Sequence, residues 1–215
     1  NEDQCYRLVY SNKIITGTLE DYSWLVALFI KIGHISASAY WFNESIKWTN
    51  IIINKFWAEY KNLFAFTESE VLYKKSFEIE DQVIPSSNSV IANNLYELYN
   101  VTHDKKYLEI MDKMMRKVGS KAQKWLPNYT NWMMLSNKKK SSNKLYVTIG
   151  YELNELWNLH HQKEINDQVY VLEKESEILI FKEKYQEEEK NIFICNENSC
   201  IANTANIKEA LSIKI

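Results

Sequence analysis

Glycine is scarce in this chain, four residues in 215, and proline scarcer still at two. Four dispersed glycines build no Gly-rich phosphate loop, and no Gly-x-Ser-x-Gly elbow occurs, so neither phosphate-cradling nor serine-hydrolase chemistry is expected. Three cysteines are an odd number and argue against the disulfide framework of a small secreted domain. Charge of either sign is not in excess: 26 Lys and Arg stand against 28 Asp and Glu, a net −2. A nucleic-acid binder carries a basic excess on one face. The one basic run here, Lys138-Lys139-Lys140, reads as a short loop, so nucleic acid is not an expected partner. No stretch approaches the ~18 unbroken apolar residues of a spanning helix. No membrane partner is expected, and the expected location is the cytoplasm. The chain opens at Asn1 rather than Met, which leads to the expectation of a fragment or processed product.

What is present is core material: 46% hydrophobic and 13% aromatic residues, well outside the disordered class. The organising stretch is 16–33, TGTLEDYSWLVALFIKIG. Polar cap residues come first, then Glu20 and Asp21 in the first turn, then apolar residues on nearly every side. A helix apolar all round is a buried one. Thr18 followed by Asp21 is a capping-box arrangement with Asp in place of Glu, and Gly33 is the expected C-terminal stop. A second helix over 38–57 shows a broad apolar stripe with a wet side, and 104–119 is the cleanest amphipathic helix in the chain. Between them, 63–67 and 70–73 read as a short hairpin or two extended pieces. Pro85 and three serines open a helix over 90–99, and 128–137 forms a shorter one.

These elements repeat. Leu28-Phe29 matches Leu95-Tyr96 and Tyr40-Trp41 matches Tyr107-Leu108, both at an offset of 67 residues. The same offset lays Glu20 and Asp21 on Ser87 and Asn88. A repeated pair, one helix buried and one half exposed, is how α/α toroids and solenoids are built. After the polar run 136–142 the character changes. Strands over 145–150, 168–172 and 191–195 alternate with helices over 152–161 and 206–213. The fold class expected is therefore mainly α: helix pairs of a partial (α/α)6 toroid over 1–137, then a small α/β lobe over 144–215.

The stretches GTLEDYSWLVALF (17–29), IPSSNSVIANNLYELYNVTHDKKYLE (84–109), LYVTIG (145–150) and IFICNENSC (192–200), in that order, resemble the C-terminal part of the spermatogenesis-associated protein 20 family of thioredoxin-domain-containing proteins. The resemblance implies a thioredoxin-like domain followed by a toroid similar to N-acylglucosamine 2-epimerases and six-hairpin glycosidases. Nothing in this chain resembles the thioredoxin-like part. The family's usual Ser-Gly-Asn-Ser is Ser86-Ser87-Asn88-Ser89 here, and its proline-rich stretch after the second cysteine is Ile201-Ala202-Asn203. What the resemblance implies is a small carbohydrate bound or processed in the toroid cavity, or alternatively a non-catalytic scaffold attached to a redox domain. The expected partners are the rest of the toroid and a thioredoxin-like domain, in the same or another chain.

Candidate chemistry gathers at the helix starts. Glu20 and Asp21 are the expected catalytic carboxylates, as general acid/base or sugar-binding groups. Adjacent helical residues point about 100° apart, so at most one can face a cavity. The competing reading is capping and dipole compensation. Tyr22, Ser87 and Asn88 are the expected ligand-binding residues, the last two also reading as an N-cap cluster. His34 and His103 read as turn residues at equivalent places, and the adjacent pair His160-His161 lacks zinc-helix spacing. Cys195 and Cys200 read first as structural thiols, with a reversible disulfide or half a metal site as alternatives. Trp24, Tyr40, Trp41, Trp48, Trp57, Trp125 and Trp132 read as core packing ahead of sugar stacking. No metal and no cofactor is expected.

Overall fold

Thr18 leaves extended backbone, and both its N–H and its hydroxyl donate to Asp21 Oδ2, at 2.7 and 3.0 Å. That cap starts helix α1 (Leu19–Ile35). The computed structural model containing it describes residues 4–36, 38–68, 75–141, 143–152, 154–187, 189–196 and 199–214. The extended piece expected over 70–73 lies outside the described residues. Two features of α1 differ from expectation. The helix runs through Gly33, because that glycine lets the Phe42 ring of helix α2 (Ala39–Phe56) come close; a Cβ there would sit 2.9 Å from Phe42 Cε2. Nor is α1 buried all round: Leu19, Tyr22, Val26, Ile30 and Gly33 face inward, while Trp24, Leu28 and Ile35 are exposed.

Ahead of α1, strands β1 (Tyr6–Tyr10) and β2 (Lys13–Thr16) form an exposed antiparallel hairpin. After α2, the two-residue strands β3 (Trp57–Ala58) and β4 (Leu63–Phe64) pair around Asn62, whose φ of 54° makes the tight return. Residues 63–67 read from the sequence as half of a short hairpin with 70–73 or as a separate extended piece; among the described residues Leu63–Phe64 pairs upstream, with the end of α2. Helix α3 (Ser87–Thr102) is the one buried on nearly all sides. Ser86 caps it, its hydroxyl accepting from the Ser89 N–H. Helix α4 (Lys105–Lys124) buries the stripe Tyr107, Ile110, Met111, Met114, Val118 and Ala122, and the Asp104 side chain caps its start. A 3-10 turn (Leu126–Tyr129) leads into helix α5 (Thr130–Lys140). Lys138, Lys139 and Lys140 are thus the last turn of a helix rather than a loop, where cations favour the dipole.

The repeat holds at the level of elements: α1 ends at Ile35 and α3 at Thr102, 67 residues on. The two helices also open at the same end. The α1 start donates Leu19 N–H to the Phe66 carbonyl, and the α3 start binds Phe64 through Asn88. α1 packs on α2 and on α3, and α3 on α4.

Strands β5 (Leu145–Ile149), β6 (Gln168–Leu172), β7 (Asn191–Cys195) and β8 (Cys200–Thr204) form one sheet in the order β6-β5-β7-β8, with β5–β6 parallel and the other pairs antiparallel. The crossover from β5 to β6 carries helix α6 (Trp157–Gln162), shorter than the ten residues expected for it, and helix α7 (Ile207–Ser212) closes the chain. Alternation decides which layer each strand residue joins. Leu145, Val147 and Ile149 belong to the same buried cluster as the helix pairs. Tyr146, Val169, Val171, Ile192 and Ile194 pack on the other face with Leu156 and Leu159 near α6 and Ala210 of α7. The sheet is thus sandwiched between the helix pairs and two short helices. The molecule is mainly helical with a small sheet lobe.

Candidate functional site

The expected rim residues are engaged by the protein itself. Asp21 holds Thr18, as above. Glu20 Oε2 lies 2.5 Å from Arg7 Nη2 on β1, and Asp21 Oδ1 lies 3.5 Å from Arg7 Nε. These carboxylates line a shallow groove of about 520 Å³ with Cys5, Trp24, Leu25 and Leu28. Tyr22 is buried against Trp48 and Phe56, and its hydroxyl accepts from the Cys5 N–H at 3.0 Å. Asn88 makes three bonds: Oδ1 accepts from Phe64 N–H at 2.8 Å, and Nδ2 donates to the Phe64 and Glu78 carbonyls, each at 2.9 Å. Ser87 donates its hydroxyl to Glu78 Oε2 at 2.8 Å. Glu20 and Asp21 share a face with Ser87 and Asn88 in the sense of the repeat, but they meet in no common cavity: Ser87 and Asn88 are fully buried under the 75–86 segment.

A polar pocket of about 210 Å³ lies elsewhere, where α1, α3 and α5 meet the start of β6. Its floor is Glu97, on the all-round buried helix α3 and 7% exposed. Burying a carboxylate is costly unless it is paired. Here Oε1 accepts from Lys138 Nζ at 3.1 Å, and Oε2 accepts from Gln168 Nε2 at 2.5 Å and lies 3.8 Å from His34 Nε2. Burial pushes this carboxyl upward, but the partner His34 and the Lys138 and Lys31 charges outweigh it and hold Glu97 at about 2. His34 is in the last turn of α1, not in the turn the sequence suggested. Its Nδ1 must donate to the Val169 carbonyl at 3.0 Å, because a carbonyl can only accept. The ring also stacks near Tyr170, at 4.6 Å. Lys163, beyond α6, donates to the Glu164 and Asp167 carbonyls at 3.2 and 2.5 Å. Burial lowers its ammonium, Asp167 opposes that, and Lys31 and Lys138 lower it further. His160 is lowered by burial and by the charges of Lys163, His34 and His161.

Sequence reasoning missed this site because its residues span Lys31 to Val169 and meet only in three dimensions. One signal was available: Glu97 is a lone acid inside an otherwise buried helix, and such a charge requires partners.

Cys195 and Cys200 form a disulfide that closes the β7–β8 turn, in place of the free thiols first expected. Among the described residues no group of three or more His, Cys, Asp or Glu is placed to hold a metal ion. The aromatics divide: Trp132 is buried and donates to the Ile79 carbonyl at 2.9 Å, Trp48 and Trp57 contact Tyr22 and Phe64, while Trp24, Tyr40 and Trp125 are exposed. None of them lines the Glu97 pocket. No helix among the described residues is long and apolar enough to cross a membrane. No protein-family model matches the chain, and no curated protein matches it.

Proposed function

We propose that this chain is a non-catalytic interaction scaffold: a stretch of an α/α helix-pair array, toroidal as in the family it resembles, whose open end is the outer flank of α1. The observation that carries the reading is a mismatch between repeat equivalents. Trp24 and Leu28 are 42% and 53% exposed, whereas Ile91 and Leu95, 67 residues on, are fully buried in α3. Asn94, between those two, reaches α1 by donating to the Ser23 carbonyl at 2.7 Å. This places Ile91 and Leu95 about the face of α3 that meets α1, so the matching face of α1 awaits a helix that would lie on it as α1 lies on α3. In a helix-pair array each unit buries its apolar face only against a neighbour, and a terminal unit with an apolar face is uncapped. The occupant is another helix pair of this type. The resemblance adds a thioredoxin-like domain as the further partner. The self-satisfied state of Glu20, Asp21 and Asn88 favours this scaffold over a sugar processed at the helix starts.

Left alone, the flank is expected to find a second copy. Sedimentation of the chain should show reversible self-association in the micromolar range, and Leu28→Glu or Trp24→Glu should return it to monomer, a loss of about 2 kcal/mol or more at an interface anchor. A strictly monomeric wild-type chain, even at high concentration, counts against the open-end reading.

A further inference from the structure

We propose that the Glu97 pocket binds a small oxyanion, the phosphate or carboxylate group of a compact metabolite-sized molecule. The proposal is independent of the scaffold reading. It rests on how charge is distributed in the pocket. Both acids are spent within the protein. Glu97 is shared among Lys138, Gln168 and His34, and Asp167 accepts from the Lys144 and Glu164 N–H groups at 2.8 and 3.3 Å. The cations are not spent in the same way. Lys31 points from α1 into the pocket with no hydrogen-bond or ion-pair partner among the described residues. Lys163 donates to two carbonyl oxygens, which take two of its three protons and carry no charge to cancel its own. Lys31, Lys138 and Lys163 therefore face one cavity from three elements, with the His34 and His160 rings beside them.

Burial is the largest cause lowering the Lys163 ammonium, Asp167 and Glu97 oppose it, and Lys31 and Lys138 add repulsion; His160 is likewise lowered first by burial and then by Lys163. A bound anion relieves that repulsion and forms charge-assisted hydrogen bonds, the strong kind. Glu97 then serves as a fixed counter-charge that aims the Lys138 ammonium, and Asn166, whose amide donates to Ser141 Oγ at 3.0 Å, anchors the loop carrying Lys163. Size limits the ligand. About 210 Å³ is below the ~300 Å³ at which drug-sized pockets begin. It suits inorganic phosphate, a short phosphate ester or a small dicarboxylate. Among the described residues no Trp, Tyr or Phe lines the cavity, so a neutral sugar finds only the small imidazole rings of His34 and His160 there and no broad stacking surface.

The test is isothermal titration calorimetry of the whole chain, in a low-salt amine buffer, with inorganic phosphate, methyl phosphate, malonate and neutral glucose as titrants, and chloride at matched ionic strength as the blank. Binding of either phosphate or malonate, but not glucose or chloride, is expected; which of the two binds tells the phosphate source from the carboxylate one. Lys31→Glu should weaken it about tenfold or more. Lys31 is exposed and makes no hydrogen bond or ion pair among the described residues, but its charge helps hold Glu97, so thermal unfolding checks that Lys31→Glu is folded, and Lys163→Gln gives a second, independent reading. Lys117→Glu, on the exposed side of α4 outside the pocket, makes the same change in net charge and should bind as the wild type does. Absence of anion binding up to ~10 mM, equal binding of glucose, or an equal loss in Lys117→Glu would each overturn the proposal.

Discussion

Glu97 shows how one side chain can couple folding to solution conditions. Its ordinary value of 4.5 falls to about 2 in the folded chain, despite burial, because His34, Lys138 and Lys31 surround it. A carboxyl whose folded value is depressed contributes stability that is complete above its unfolded value and is lost as pH falls toward its folded one. The window here therefore lies between about pH 4.5 and pH 2, and its full size is about 3 kcal/mol at 1.4 kcal/mol per unit. Glu97→Gln removes this contribution while leaving every other carboxylate in place. Urea unfolding from pH 6 to pH 2.5 should show the wild type well above the variant at pH 6 and the two converging as pH drops; curves that stay parallel would mean that Glu97 is not held down in the fold. The same residue marks a limit of sequence reading. Capping at Thr18–Asp21 was legible because both partners sit within three positions of each other. The partners of Glu97 lie 63 residues before it, 41 after and 71 after, as the numbers of His34, Lys138 and Gln168 show, and no local pattern connects them.

Among the elements, those with a strong apolar period were legible, and those decided by a neighbour were not. α2 and α4 each bury a stripe spaced three and four apart; the bounds of α2 follow from it, while α4 runs past the expected end at 119 to Lys124 and buries Ala122 as well. β8 was missed because Cys200–Thr204 is an edge strand with mostly exposed side chains, held by its ladder to β7 rather than by an apolar face. β3 and β4 are too short for any period to register. Gly33 was read as a helix stop because glycine usually is one there, whereas its cause is the ring of Phe42 on the adjacent helix. That difference has a measurable consequence. Replacing a mid-helix glycine by alanine ordinarily stabilises by about 1 kcal/mol. Gly119→Ala, in α4 with nothing within 4 Å of its new Cβ, should show that gain. Gly33→Ala should show the opposite sign, a loss of about 1–3 kcal/mol from overpacking. Phe42 is wholly buried among His34, Tyr170 and Phe181, so its ring has no room to give the 2.9 Å contact more space. Thermal midpoints that rise for both variants would show that Gly33 is an ordinary helical glycine.

The aromatic cluster around Phe42 also determines how the molecule holds together as a whole. The sequence suggested a division after residue 137, where a polar run separates the helix pairs from the strands. The buried core does not divide there. Phe42 of α2 lies 5.7 Å from Tyr170 of β6 and 5.6 Å from Phe181 in the long loop after it, and Tyr170 lies 5.9 Å from Phe181. The Ile180 N–H donates to the Val101 carbonyl at the end of α3, and Leu145, Val147 and Ile149 of β5 lie in the same apolar cluster as the helices. Polarity of a linker reports where the chain is solvated; it does not report which faces the flanking elements bury. A core shared across the linker predicts that helices and sheet unfold together. Phe181→Ala is the sharp form of that prediction. The residue belongs by sequence to the strand-bearing half, while one ring it touches belongs to the helical half. Removing a fully buried Phe costs about 3–5 kcal/mol. If the core is one, far-ultraviolet circular dichroism, dominated by α1 to α5, should lose stability by that amount, and near-ultraviolet and fluorescence transitions should shift with it to a common midpoint. If the halves were independent, the helical transition would stay where it is in the wild type while the signal from the sheet moved alone.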